Sequence, residues 1–317
     1  MSKLVVAAAQ FAPVHLDLAA SLEKARGIVA DAALEGVQLL VFPESFLPGY
    51  PDWVWRTPAW SPHALASYQR LYENAVVVPG PETETLADLA REHGMHLAMG
   101  VTERHGSTLY NTLLLFGADG ALLNHHRKLM PTGGERLVWG YGDGAGLTVH
   151  DTPVGRVGGL LCWENYMPLA RAAIYAQDVQ VYLAPTWDTS DVWVPTLQHI
   201  AKEGRTFVIG CCQAIHANDL PDDIPGKAEL YGDEWLARGL SAIIAPGGRI
   251  LAGPLEEKEG LVTASIDLAR CAEGRGMFDP TGHYSRPDVL RLAVDTTRKS
   301  PVVRAGDPEP SAAPPRP

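Results

Sequence analysis

Ten short apolar runs recur along the chain: KLVVAAAQ, VQLLVFPE, HLAMGVTE, NTLLLFGA, ALLNHHRK, RVGGLLCW, VQVYLAP, TFVIGCCQAI, LSAIIAPGG and LVTASID. Several are continuous rather than alternating, the pattern of strands covered on both faces. A chain with this many such strands needs helices or a second sheet against each face. Helical periodicity falls between the runs. Residues 17–35 fit an amphipathic helix with Leu18, Leu22, Ala25, Ile28 and Val29 on one side. Residues 83–93 fit another, with Thr83 as N-cap and Gly94 as the stop. A third is expected after Cys162, with Leu169, Ala172, Ala173 and Ala176 facing inward, and a fourth over 194–205. Asp119-Gly120 marks a hairpin turn between two of the strands. The expected architecture is α/β, with a mixed sheet or two stacked sheets and helices outside.

Charge and termini narrow the function classes. A net charge of -11 argues against nucleic acid or an anionic membrane surface as partner, because both repel an acidic protein. No run approaches the roughly 18 apolar residues of a membrane span. The N-terminal MSKLVVAAAQ continues into a core strand, so no signal peptide is expected and the expected location is cytoplasmic. The four cysteines form no C-x-x-C pair and are expected to be reduced thiols; adjacent Cys211 and Cys212 on a strand point to opposite faces as core residues. Residues 216–239 read as a polar surface insertion between strands, with Leu230, Tyr231, Trp235 and Leu236 available to bury. Residues 1–297 are expected to form one domain, with a C-terminal extension from about 271, and residues 298–317 a Pro-rich tail without regular structure.

Common catalytic signatures are missing. There is no G-x-S-x-G elbow, no H-E-x-x-H and no G-x-x-x-x-G-K-[ST]. WGYGDGAGL lacks the lysine and helix of a phosphate loop and reads as a structural turn. His125 and His126 are neighbours on a strand and so diverge; no metal site is expected. Three stretches remain: LLVFPES, where a buried strand ends in the carboxylate Glu44; NHHRKLMPTGGER, where a strand ends in Arg127-Lys128 and leads to Glu135; and GLLCWEN, where a strand ends in Cys162. Each alone has an ordinary structural explanation. Together they place polar groups at the C-terminal ends of apolar strands, where α/β folds gather active sites.

On these residues the chain resembles the nitrilase branch of the carbon-nitrogen hydrolase superfamily: a Glu in FPES, a Lys in HRKLMPT and a Cys in CWEN, with GHYSRPDV similar to the stretch after the core of nitrilases. The resemblance runs from residue 4 to about 290. It implies a four-layer αββα sandwich and a catalytic set of Glu44 as base, Lys128 as stabiliser of developing negative charge, Cys162 as nucleophile and Glu135 beside the lysine. It also implies nitrile hydrolysis without a cofactor, and homodimers across the outer helices that extend into spirals. Trp163 and Trp187 are the best pocket candidates, followed by Trp53, Trp139 and Tyr166. An amidase or carbamoylase of the same superfamily is the alternative reading, and a non-catalytic filament protein a more distant one.

Overall fold

The computed structural model describes residues 3–300; the expectation for the Pro-rich stretch from Pro301 onward lies outside the described residues. Strands β1 (Leu4–Gln10), β2 (Leu39–Val41), β3 (His96–His105), β4 (Thr108–Phe116) and β5 (Leu122–Arg127) form one sheet. Helices α1 (Leu18–Leu34), α2 (Pro62–Glu73) and α3 (Pro81–His93) are interspersed among them. The second half of the chain runs β6 (His150–Thr152), β7 (Gly155–Gly159), α4 (Pro168–Tyr175), β8 (Val181–Thr186), α5 (Trp193–Gly204), β9 (Phe207–Cys212), β10 (Ala214–His216), α6 (Lys227–Leu230), β11 (Trp235–Ile244), β12 (Ile250–Glu256), β13 (Gly260–Ile266) and α7 (Ala269–Met277). Strand order is β13-β1-β2-β3-β4-β5 in the first sheet and β10-β11-β9-β8-β7-β6 in the second, where β12 also pairs with β11. The last long strand thus returns to close the first sheet, antiparallel to β1 from Leu4↔Ile266 to Gln10↔Gly260.

Burial explains the continuous runs. Along β1, Val6 and Ala8 face Val181, Leu183 and Ile209 of the other sheet, whereas Ala7 and Ala9 face Ile28 and Val29 of α1. The second sheet repeats the arrangement, with Tyr182 and Val208 packed under Ile174, Leu197 and Ile200 of α4 and α5. Three apolar layers between four layers of secondary structure make an αββα sandwich.

Several local expectations change. Thr83 lies one turn inside α3; Gly80 is the N-cap, and the Thr83 hydroxyl accepts from its N–H at 2.9 Å, while Gly94 ends the helix at φ +59 as expected. On α4, Leu169 and Ala176 point outward, and the buried positions are Ala170, Ala173 and Ile174, because the helix starts at Pro168 and its inward stripe is set from there. Helix α2, strands β6 and β12 and helix α7 were not anticipated. Ser61 capping Ala64 N–H with Pro62 at the first position was a legible signal for α2. Residues 216–239 are not a free surface. Tyr231 lies under the Arg56 guanidinium (4.8 Å), Arg56 pairs with Glu234 (2.8 Å), Arg70 with Asp223 (3.0 Å), and Trp235 opens β11. The insertion is therefore clamped onto α2 and the preceding turn of its own chain.

Candidate active site

Glu44, Lys128 and Cys162 each follow the last residue of a strand (β2, β5, β7) by one to three positions. Strands β2 and β5 run in the same direction, since β3 is parallel to β2 and two antiparallel pairings separate it from β5, so both deliver their polar groups to one edge of the sandwich. The chain turns sharply at each carboxylate or thiol. Ser45 has φ +50 and Cys162 φ +48, the left-handed region that costs a non-glycine residue energy and collects at functional sites. Gly100 of β3 permits the first turn: a Cβ there would lie 2.1 Å from the Pro43 carbonyl and 2.9 Å from the Glu44 Cα.

Glu44, Lys128 and Glu135 are fully buried. Lys128 Nζ donates to Glu44 Oε1 (2.7 Å) and to Glu135 Oε2 (2.8 Å). The two glutamates differ in what remains free. Glu135 Oε1 accepts from the Tyr50 hydroxyl (2.7 Å), and its Oε2 accepts from Thr132 N–H (2.6 Å) as well as from Lys128. Glu44 Oε1 accepts a further bond from Asn111 Nδ2 (2.7 Å), whereas Glu44 Oε2 is buried and has no partner among the described residues. Asn111 also accepts the Lys128 N–H through its carbonyl (2.7 Å), so one residue aligns both members of the pair.

Electrostatics follow from two carboxylates sharing one ammonium. Burial, together with the Glu135 charge, raises the Glu44 carboxyl above the usual carboxylate range despite Lys128. Burial opposes the Lys128 charge, but Glu44, Cys162 and Glu135 around it hold the ammonium firmly protonated. Burial and Glu44 push the Cys162 thiol well above its ordinary value, so Cys162 rests as a neutral thiol near a carboxylate of raised basicity.

The Cys162 thiol opens on a cavity of about 370 Å³ lined by Tyr50, Trp55, Thr132, Glu135, Trp163, Trp187, residues 188–190 and Leu236. Trp187 stacks flat on Tyr50 (4.4 Å, 6°), and the Trp163 indole N–H donates to Asp188 Oδ2 (2.9 Å). The structure thus brings Glu44, Lys128, Glu135 and Cys162 together and puts Trp163 and Trp187 on the cavity wall. Trp53 and Trp139 are buried and absent from that wall; Trp139 meets the edge of Tyr50 at 5.6 Å. Trp53 lines a separate apolar recess with Trp60 and Leu65, and Tyr166 turns toward Thr196 (3.3 Å) and Trp193 (6.1 Å). Asn111, Glu164 and Leu236 were not singled out for the site from the sequence, whereas Tyr50 and Trp55, two of the aromatic residues that follow Glu44, both reach the cavity wall. For Glu164 a signal existed, since a carboxylate two residues after the cysteine stands at the third position of the turn, where it can cap the turn's free N–H groups.

The carbon-nitrogen hydrolase family profile matches residues 5–275. The chain belongs to this family. It is 44% identical over 306 residues to an aliphatic nitrilase of Sinorhizobium fredii, covering 96% of this chain and 99% of that protein. It is 43% identical to Nitrilase 2 of Arabidopsis thaliana, covering 92% and 89%. These relatives put the chain among the nitrilases. In fold it is similar to a member of branch 10 of the nitrilase superfamily from Saccharomyces cerevisiae (TM-score 0.70, 21% identity, 89% of this chain and 96% of that one). It is likewise similar to a carbon-nitrogen hydrolase from Helicobacter pylori (TM-score 0.73, 20% identity, 90% and 96%).

Proposed function

We propose that the protein hydrolyses an organic nitrile to the carboxylic acid and ammonia, with Cys162 as nucleophile, Glu44 as proton carrier, Lys128 as electrostatic stabiliser and Glu135 as the group that holds Lys128. The observation that carries the assignment of roles is the unequal use of the two glutamates. Both Glu135 oxygens are engaged, whereas Glu44 Oε2 is left without a partner among the described residues. Of the four carboxylate oxygens, Glu44 Oε2 alone has no hydrogen bond among the described residues, and it is the oxygen best placed to take a proton.

In this reading Glu44 takes the Cys162 proton as sulfur attacks the nitrile carbon, and returns it to the nitrile nitrogen to give a thioimidate. Lys128 and the Trp163 backbone N–H stabilise the charge that develops on nitrogen. A first water, deprotonated by Glu44, adds to the thioimidate; the carbon-nitrogen bond then breaks, ammonia leaves and a thioester remains. A second water cleaves the thioester, releasing the acid and restoring the thiol. The substrate body lies against Trp163, Trp187 and Trp55, an aromatic wall that favours aryl and arylaliphatic nitriles. Incubation with benzonitrile, phenylacetonitrile and their amides tests this. Ammonia is expected from the nitriles and none from a Cys162→Ala variant; faster turnover of the amides would sink the nitrile assignment in favour of the amidase reading.

Residues 1–297 act as one hydrolase domain in this proposal. The location is cytoplasmic, which suits four unpaired, buried cysteines; among the described residues no helix is long and apolar enough to cross a membrane. The enzyme forms a homodimer across α4 and α5, where Tyr166, Met167, Leu169 and Val192 are exposed together, with longer spirals built from such dimers. Helix α4 continues directly from the Cys162 turn, so pairing supports the nucleophile. Leu169, 68% exposed, is the residue to change. Leu169→Glu is expected to give monomers by light scattering with at least about tenfold lower kcat, given how steeply rate depends on geometry. A Leu169→Glu variant that stays dimeric, or a fully active monomer, counts against this interface.

A further inference from the structure

The buried carboxylate of Glu164 takes no part in the chemistry proposed above, yet it touches both halves of the site. It lies in the 3-10 turn Cys162–Tyr166 and is 1% exposed. Glu164 Oε2 accepts the Leu161 N–H (2.7 Å), immediately before the nucleophile, and Oε1 accepts the Leu129 N–H (2.7 Å), immediately after Lys128. One side chain therefore bonds the backbone on either side of the gap between two sheets. Leu161 continues from β7 of the second sheet, and Leu129 from β5 of the first. His126 completes the arrangement from β5. Its Nε2 lies 3.0 Å from Glu164 Oε2 and 3.2 Å from Oε1, and both side chains are sealed from solvent.

The surroundings are built to keep this contact. His126 packs on Gly146, where a Cβ would lie 2.4 Å from the His126 Cα and 2.8 Å from its Nδ1, so the Gly-rich loop serves as the floor under the imidazole. Alternate residues of β5 grip the other side: Glu103 accepts from His125 Nε2 (2.7 Å) and the Arg127 guanidinium, and also from Thr112 Oγ1 of β4 (2.8 Å). The strand that delivers Lys128 is thus held on both faces, by Glu103 on one and by Glu164 on the other. Capping the Cys162 turn alone needs one acceptor, and a neutral side chain supplies it. A buried carboxylate adds negative charge near a site that already holds two, and it is worth having there only if its second oxygen has work to do. Burial opposes the Glu164 charge, but His126 and the two backbone N–H groups overcome it and hold the carboxyl below its ordinary range.

We propose that Glu164, seated by His126, is a positioning residue that sets the placement of the Cys162 sulfur relative to the Lys128 ammonium. The proposal rests on the reading of Glu44, Lys128 and Cys162 as the reacting groups. Glu164→Gln keeps size and shape but turns an NH2 group toward one of the two N–H donors, so one of the two strand ends is released. Displacement of a catalytic group by about an ångström costs on the order of 10²-fold. The expected result on a nitrile turned over by the unaltered enzyme is a kcat 10- to 100-fold lower, about that scale, with KM within threefold, counted per Cys162 that iodoacetamide still labels. The labelling rate of Cys162 should change several-fold while Cys211 and Cys212 stay protected. If Glu164→Gln lowers only the melting temperature, with kcat per labelled site within twofold, Glu164 is a structural cap and the proposal is overturned. Should that variant not fold, His126→Gln carries the test, since it leaves both backbone bonds in place: a several-fold loss of kcat at unchanged KM supports the pair, and unaltered kcat overturns it. A Cys162→Ala control separates the layers. If it is inactive, an unaltered Glu164→Gln rejects the positioning role alone; if it is active, the reading of the site itself has failed.

Discussion

Glu44→Gln is expected to leave a folded protein with less than about 1% of the activity of the unaltered enzyme, the scale of a lost general base. The change is close to isosteric. The Gln oxygen still accepts from Lys128 and Asn111, which use Oε1 in the native site, so the fold has little reason to suffer. What is lost is Oε2, the oxygen with no partner among the described residues, replaced by an NH2 group that cannot take a proton. Because burial and Glu135 raise the native Glu44 carboxyl, the same group sets the acid limb of the pH profile. Below its raised pKa, Glu44 is a carboxylic acid and cannot accept the Cys162 proton. Activity as kcat/KM should therefore fall with decreasing pH at a midpoint above the ordinary glutamate value of about 4.3, and the residual activity of Glu44→Gln should lack that limb. Circular dichroism and a pH series on both proteins check this; substantial turnover in Glu44→Gln would remove Glu44 from the role of base.

Lys128→Met should damage both activity and stability. The lysine is 1% exposed and is the cation shared by Glu44 and Glu135. Replacing it leaves two buried carboxylates facing each other. Breaking a buried pair by removing one partner typically costs about 3–5 kcal/mol, and loss of the charge that stabilises the developing anion costs at least about 10²–10³ in rate. The stability loss should depend on pH. Without the ammonium, the folded-state pKa of at least one carboxyl rises further above its unfolded value, so the penalty is full at pH values above that raised pKa and shrinks as pH falls through it. Thermal melts of Lys128→Met should accordingly improve on acidification from about pH 8 toward about pH 5.5, on the near side of the ordinary carboxyl values, by more than the native enzyme, in which Lys128 limits the rise of the Glu44 carboxyl. A variant that melts within a degree or two of the native protein, or keeps a tenth of its activity, would contradict the shared-cation picture.

The roles of the two glutamates show how much of this site was readable from residues in order. Glu44, Glu135, Lys128 and Cys162 were all named from FPES, HRKLMPTGGER and CWEN; the structure joins Lys128 to both glutamates and puts Cys162 on the same cavity as Glu135. The resemblance already implied Glu44 as base and Glu135 beside the lysine; how the bonds are shared between them was not readable, because it depends on whether Tyr50 and Thr132 reach Glu135 and whether Asn111 reaches Glu44. Those partners come from separate turns and from a strand of the first sheet. The aromatic residues make the same point. Trp53, Trp139, Trp163 and Trp187 all follow or adjoin catalytic stretches, yet only Trp163 and Trp187 line the cavity, since the path of residues 52–57 turns Trp53 into a different recess.

What the chain determined by itself is local. Continuous apolar runs specified strands buried on both faces, Asp119-Gly120 the β4–β5 hairpin, Gly94 the end of α3, and paired His125 and His126 two side chains that diverge, because period, turn chemistry and alternation act over a few residues. Tertiary structure decided the remainder: that the strands divide between two sheets with β13 returning beside β1, that Leu169 faces out while Ile174 faces in, that residues 216–239 fold back on Arg56 and Arg70, and that Glu164 spans from Leu161 to Leu129. Each of those outcomes depends on hydrogen bonds and burial between segments distant in sequence, and a carboxylate that is solvated in one packing becomes a sealed bridge between two strands in another.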